Sequence, residues 1–205
     1  MREKNGADRK RMQKLVEKRN ERLDGGGLWR AADLVLTLLA VVAFALAIRG
    51  AIFEPARVEG SSMFSTLESN DYLFVEKLTY AFSAPKRGDI IICYYPDAYY
   101  ETYQKAYRSR VKRIVAVEGD TVQSIDGALY VNGEAVEEPY LDAERSFTSG
   151  LETPVTIGLG EVLVLGDNRV NSNDSRNPLV GTIPLERIAG KAHFVLFPFS
   201  HIHGV

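Results

Sequence analysis

RVKRIVAV, residues 110–117, is the stretch of sequence that decides the fold. Side chains of a β-strand point to alternate faces, so Lys112 shares one face with Ile114 and Ala116. A lysine on an apolar face is desolvated, which lowers its pKa and favours the neutral amine, a form that can accept a proton. The same pattern also suits a lysine that extends its stem over apolar surface and keeps its amine in water.

Similar short apolar runs lie on both sides of this stretch. They are rich in Val, Ile, Tyr and Phe, which favour strands, and they cover residues 72–75, 90–95, 111–117, 121–125, 128–131, 161–165 and 192–197. Asp126 with Gly127, and Asn132 with Gly133, are turn signals typical of tight hairpins. The sequence therefore predicts a mainly β fold, with one antiparallel domain over residues 54–205.

An apolar span precedes this domain. Residues 31–48 contain one charge, Asp33, and the stretch up to residue 53 is long enough to cross about 30 Å of hydrocarbon as a helix. Trp29 lies at its start, where interfacial aromatic residues are common. A core helix would also be apolar, and a cleaved signal peptide has a shorter apolar region and a small-residue cleavage site. We expect an uncleaved transmembrane helix over residues 29–53 that tethers the domain.

The charge of the chain is distributed unevenly. The first 30 residues carry ten basic and five acidic residues, whereas the other 175 carry 15 basic and 22 acidic residues. A basic segment can indicate a nucleic-acid partner, but the span after it favours a lipid bilayer. Because basic residues concentrate on the cytoplasmic side, we predict a cytoplasmic tail over residues 1–28 and an extracytoplasmic domain. The protein is expected in the plasma membrane, and no nucleic-acid partner is expected.

Few residues suit metal or triad chemistry. The sequence contains no HExxH, CxxC or phosphate-binding Gly-rich motif, so we expect neither a metal nor a cofactor. His193 lies in a predicted strand, and His201 and His203 lie near the C-terminus, which does not suit a Ser-His-Asp triad. Cys93 is the single cysteine and is expected to be a buried small hydrophobe.

Serine and lysine remain as candidate reactive groups. GSSM at residues 60–63 is a small-residue turn that can expose the hydroxyl of Ser62 and leave a backbone N–H free for an oxyanion, although most loop serines are inert. Lys112 offers the base that such a serine needs. GDNRVNSNDSR at residues 166–176 can build a hydrogen-bond network beside a site, and its composition is also typical of a solvated loop.

Four blocks stand in the order of a known family: GSSMFSTL at residues 60–67, RGDII at 87–91, VKRIVAVEGD at 111–120 and GDNRVNSNDSR at 166–176. Behind a single span, they resemble type I signal peptidase, a membrane-bound serine–lysine protease that removes signal peptides, in its Gram-positive form. The resemblance extends over residues 30–200. It implies a monomer that acts on signal-peptide-bearing preproteins and cuts after small residues, as in Ala-x-Ala.

The resemblance also implies roles for individual residues. Ser62 would be the nucleophile and would donate its backbone N–H to the oxyanion, and Lys112 would be the general base of an acyl-enzyme mechanism. Ser172 would hydrogen-bond the lysine. Asp174 and Arg176 would form a supporting salt bridge. Asp167 would brace the site. The residues that would line its shallow apolar pockets are Val58, Met63, Leu67 and Val111.

Two departures from the family pattern concern the turn around the serine. Gly60 stands where many relatives have a serine whose hydroxyl is a second oxyanion donor, and Ser65 stands where proline is usual. Three other functions stay open: a membrane-tethered binding module, a serine–lysine protease of other substrates such as pilin-like or biofilm proteins, and a self-cleaving DNA-binding repressor. The presence of Ser62, Lys112 and Ser172 together disfavours the first, and the span disfavours the last.

Overall fold

The computed structural model describes residues 2–104 and 109–205. The chain divides into two compact units, one ending at Gly50 and the other covering Ala51–Val205. Helix α1, Arg2–Ile52, provides the described residues of the first unit and ends two residues after it. Within this helix, the 20 residues Trp29–Ile48 have a mean hydropathy of 2.5 and are long enough to cross a membrane. Phe53, the predicted last residue of the span, instead begins the first strand.

The second unit is built mainly of strands. In the described residues these are β1 Phe53–Arg57, β2 Tyr72–Glu76, β3 Ile90–Cys93, β4 Arg110–Val117, β5 Thr121–Ile125, β6 Ala128–Val131, β7 Glu134–Ala135, β8 Val155–Thr156, β9 Glu161–Leu165, β10 Ile183–Pro184 and β11 Ile188–Phe197. Two short helices are α2 Thr79–Phe82 and α3 Asp97–Thr102. Single turns of 3₁₀-helix occupy Ala143–Arg145, Arg169–Asn171, Leu185–Arg187 and Phe199–His201.

The strands form two antiparallel sheets. The large sheet has the order β1-β2-β11-β3-β4-β9-β10, and the small sheet has the order β7-β6-β5-β8. This arrangement confirms the predicted mainly β, antiparallel fold. The hairpin signals are confirmed as well: Asp126 and Gly127 have φ values of 51° and 82°, and Asn132 and Gly133 have 56° and 83°. Two successive positive φ angles are what a type I′ turn requires.

Strand β4 lies inside the large sheet, between β3 and β9. Lys112 stands opposite Ile91, and Ile91 packs in one apolar cluster with Ile114 and the fully buried Cys93. Lys112 and Ile114 therefore share a face, as predicted, and Cys93 is the buried hydrophobe expected. A register shift after Ile114 interrupts the alternation, so Ala116 packs in a different cluster from Ile114, contrary to the prediction.

Candidate active site

The turn that follows β1 presents Ser62. Gly60 has a φ of 91°, a conformation that side-chain-bearing residues rarely adopt. Main-chain hydrogen bonds close the turn, with the N–H of Phe64 donating to Ser61 O at 3.2 Å and the N–H of Leu67 donating to Met63 O at 2.8 Å. The buried side chains after Ser62 fix the turn to the core, so the serine is held while its hydroxyl faces a groove.

Lys112 reaches this hydroxyl from β4. Its Nζ lies 2.7 Å from Ser62 Oγ and 2.8 Å from the carbonyl oxygen of Val111. The residue is 2% exposed, and burial lowers its pKa from 10.5 to about 8, against the opposing charge of Asp174. A lysine pKa in this range leaves a substantial neutral fraction near neutral pH, and a neutral amine at hydrogen-bond distance can take the serine proton.

Asp167 occupies the other side of β4. Arg113 donates to its two carboxylate oxygens at 2.9 and 2.7 Å, and Thr66 Oγ1 donates at 2.5 Å. The carboxylate thus joins β4 to the turn that carries Ser62, which is the bracing position expected for Asp167. Sequence reasoning did not single out Arg113. The only signal was its place next to Lys112, where alternation directs it to the opposite face.

Asp174 and Arg176 form the salt bridge that the sequence predicts. Arg176 Nε and Nη2 donate to the carboxylate at 2.7 and 2.9 Å. The same carboxylate accepts the N–H of Gly166 at 3.0 Å, and Arg176 Nη1 donates to the carbonyl of Arg169 at 2.8 Å. These bonds close residues 166–176 into a fixed loop, so this segment is not a freely solvated one.

Ser172 differs from its predicted role. Its Oγ is buried and has no hydrogen-bond partner among the residues that the structure describes, so the expected bond to Lys112 is absent. The lysine amine is instead bonded to Ser62 and to a main-chain carbonyl. The Ser172 hydroxyl does lie next to the serine turn, because a Cβ on Gly166 would come within 2.2 Å of Ser172 Oγ and 2.4 Å of Ser62 O.

Two asparagines, which sequence reasoning did not select, hold the serine turn. Asn168 donates its N–H to Ser62 O at 3.0 Å and its Nδ2 to Ser61 O at 3.1 Å. Asn171 donates its Nδ2 to Ser61 Oγ at 3.0 Å. The three asparagines of residues 166–176 were the available signal, since amide side chains can bond main-chain oxygens of a neighbouring turn.

Ser62 and Lys112 line a groove with a volume of about 660 Å³. Val58, Met63 and Val111 line it, as predicted, but Leu67 does not. Leu67 is fully buried in the core, because the turn after Met63 directs it inward. Among the described residues, the N–H of Ser62 forms no hydrogen bond. The same residues contain no group of three His, Cys, Asp or Glu side chains that could hold a metal ion.

Comparison with known proteins finds relatives over most of the chain. A family model described as signal peptidase, peptidase S26, matches residues 31–197. Signal peptidase I T of Bacillus subtilis (strain 168) is 41% identical over 181 residues, which cover 85% of this chain and 86% of that protein. Signal peptidase I of Bacillus licheniformis is 40% identical over 177 residues, which cover 83% and 90% of the two chains.

One solved structure is also similar. It is a signal peptidase I from Enterococcus faecalis V583, with 27% identity and a TM-score of 0.41, and the match covers 53% of this chain and 97% of that chain. Family membership is decided by the sequence matches.

Proposed function

Because the chain belongs to the signal peptidase family, peptidase S26, we propose that it cleaves signal peptides with Ser62 as the nucleophile and Lys112 as the general base. The family is one of serine endopeptidases that act on signal-peptide-bearing substrates. The observation that supports this dyad best is the 2.7 Å separation of Lys112 Nζ and Ser62 Oγ. The lowered pKa of Lys112 supports it further.

The proposed reaction has two steps. Neutral Lys112 takes the proton of Ser62 as Oγ attacks the scissile carbonyl, and the resulting ammonium gives the proton to the leaving amine when the C–N bond breaks. The ester that remains joins Ser62 to the signal peptide. Lys112 then takes a proton from water, whose oxygen attacks the ester, so that a carboxylate leaves and the Ser62 hydroxyl is restored.

We propose that the N–H of Ser62 stabilises the oxyanion of both steps. A donor that is held in place before the reaction stabilises the developing charge without reorganisation. The main-chain and side-chain bonds from Asn168 to the two serine carbonyls support a fixed turn. Gly60 has no hydroxyl to offer as a second donor.

We propose that the groove favours small side chains at the first and third positions before the cut. Val58 and Met63 are 3% and 1% exposed, so they are packed into the core where they line the groove. Val111 lines the same groove. A large side chain would have to displace packed residues, which costs more than the binding it adds. We therefore propose Ala-x-Ala specificity.

We also propose that the protein is a monomer anchored in the plasma membrane by Trp29–Ile48. The length and hydropathy of this segment support a span. The basic excess of the first 30 residues supports a cytoplasmic N-terminus and an extracytoplasmic catalytic domain. In that orientation the groove meets the cleavage sites of exported preproteins after they cross the bilayer.

Replacement of the nucleophile tests the proposal. Ser62→Ala in the full-length enzyme in detergent should lower kcat/KM for a signal-peptide substrate by at least about 10³-fold, because the Ser62 hydroxyl is the one that Lys112 Nζ contacts at 2.7 Å. Ser149→Ala is the matched control, since Ser149 is exposed and outside the groove. Substitution of Phe for Ala at the first substrate position should also suppress cleavage. Retained activity in Ser62→Ala, with an intact fold, would exclude Ser62 as the nucleophile.

A further inference from the structure

The side chain of Arg110 is positively charged, and no described residue accepts a hydrogen bond from its Nε. It begins β4, two residues before Lys112, and lines the groove that contains Ser62. Its Nε is buried without a hydrogen-bond partner, and in residues 2–104 and 109–205 no carboxylate forms a salt bridge with it. A buried donor on a charged group is costly to leave unpaired, so its position requires an explanation.

Other arginines near the site are paired. Arg113 bonds Asp167, Arg176 bonds Asp174, and Arg169 bonds Glu138. Each of these three guanidinium groups forms an ion pair within the fold. Arg110 differs from them because it faces the groove, where an acceptor can come from a bound molecule.

The groove that Arg110 lines has polar as well as apolar walls. Tyr99 and Asn173 line it, and Asn173 Nδ2 donates to the Tyr99 hydroxyl at 3.1 Å. That bond holds both side chains in place in the groove that Arg110 also lines. The polar part of the groove is therefore suited to a charged or hydrogen-bonding side chain and not to a methyl group.

We propose that Arg110 binds a carboxylate side chain of the substrate, an Asp or Glu close to the scissile bond. The inference rests on the proposed function and adds a specificity that the apolar pockets do not provide. Arginine is suited to this task because its planar guanidinium can bond both oxygens of a carboxylate. A strand rises about 3.3 Å per residue, so the preferred carboxylate should fall within about two residues of the cleaved bond.

A peptide series with one Ala-x-Ala core tests this specificity. Asp, Asn or Lys is placed in turn at the second position before the cut and at the first and second positions after it, and kcat/KM is measured with the full-length enzyme in detergent. At one position, the wild type should favour Asp over Asn by about tenfold, the effect of one charge-assisted hydrogen bond. The preference should weaken as salt is added.

Two variants assign the preference to Arg110. Arg110→Gln should lower the ratio of kcat/KM for the Asp peptide to kcat/KM for the Asn peptide to about 1. Arg110→Glu should cleave the Lys peptide with the highest kcat/KM of the three. A wild type that cleaves the Asn peptides without preferring Asp at any position contradicts the inference but leaves the proposed function intact, as does an unchanged ratio in Arg110→Gln. An enzyme that cleaves no peptide overturns the proposed function and this inference with it. If a variant does not fold, the inference is tested by the wild-type order of kcat/KM among the peptides and by the salt dependence of that order.

Discussion

Two cations stand side by side on β4 and have opposite environments. Arg113 is 7% exposed and donates two hydrogen bonds to Asp167. Lys112 is 2% exposed, and its amine meets a serine hydroxyl and a carbonyl oxygen. A buried cation keeps its charge where the fold supplies a carboxylate; without one, desolvation favours the neutral form. The difference explains how one strand provides both a structural charge and a candidate base.

Removal of the amine should have the largest effect. Lys112→Met keeps an unbranched side chain of similar length but has no group that accepts a proton. We expect kcat/KM for a signal-peptide substrate to fall by at least about 10⁴-fold, the upper range of general base catalysis. The fold should survive, as measured by thermal unfolding.

Lys77→Met is the matched control for this substitution. Lys77 forms a salt bridge with Glu54 at 2.7 Å, outside the groove, and should tolerate the change without loss of activity. If folded Lys112→Met cleaves the substrate with the kcat/KM of the wild type, another group must act as the base.

Removal of the neighbouring cation should act on stability instead. Arg113→Met leaves the Asp167 carboxylate buried without its partner, and we expect a loss of about 3 kcal/mol in the free energy of unfolding. Denaturant unfolding of the folded domain measures this loss. The double variant Arg113→Met with Asp167→Asn should recover part of it, because the unpaired charge is gone. Equal losses in the single and double variants would show that the ion pair does not contribute as described.

A smaller effect should appear in the stability of Lys112→Met. The folded-state pKa of about 8 lies below the ordinary value of 10.5, so between these pH values the unfolded chain holds a proton that the folded chain has lost. Wild-type stability therefore rises with pH in this window, and below it burial of the ammonium destabilises the fold. Lys112→Met should be more stable than the wild type at pH 7, on the order of 2 kcal/mol.

The stability difference should narrow as the pH rises from 8 to 10, because the unfolded lysine must lose its proton on folding and that loss costs less at each higher pH. Unfolding curves of the two proteins at several pH values measure this change. A constant difference over that range would mean that Lys112 is not desolvated in the folded protein.

Much of the fold was predictable because local pattern and turn chemistry agree. Strands β5, β6 and β9 have the bounds that their apolar runs predict, and both Gly-containing turns adopt the required positive φ. Strand β1 was missed because its sequence, FEPAR, contains two charged residues and a proline and lacks an apolar run. The two-residue strands β7, β8 and β10 were missed because they are too short for any periodicity.

The contact between Ser62 and Lys112 was predictable from the sequence, and the side chains around this pair were less so. Sequence order and alternation on β4 placed Lys112, and a small-residue turn placed Ser62. Partners that come from distant parts of the chain were harder to find: the pairing of Arg113 with Asp167 depends on how two strands meet. Leu67 was misassigned because its direction depends on the turn and not on periodicity.

The central claim is that Lys112 acts as a base in its neutral form, and the pH dependence of kcat/KM tests it most directly. The substrate should be a signal peptide without groups that titrate between pH 6 and 10. We expect kcat/KM to rise about tenfold per pH unit and to reach a plateau above about pH 8, the pKa of Lys112 in the free enzyme. A profile that is flat or falls over this range would contradict the account.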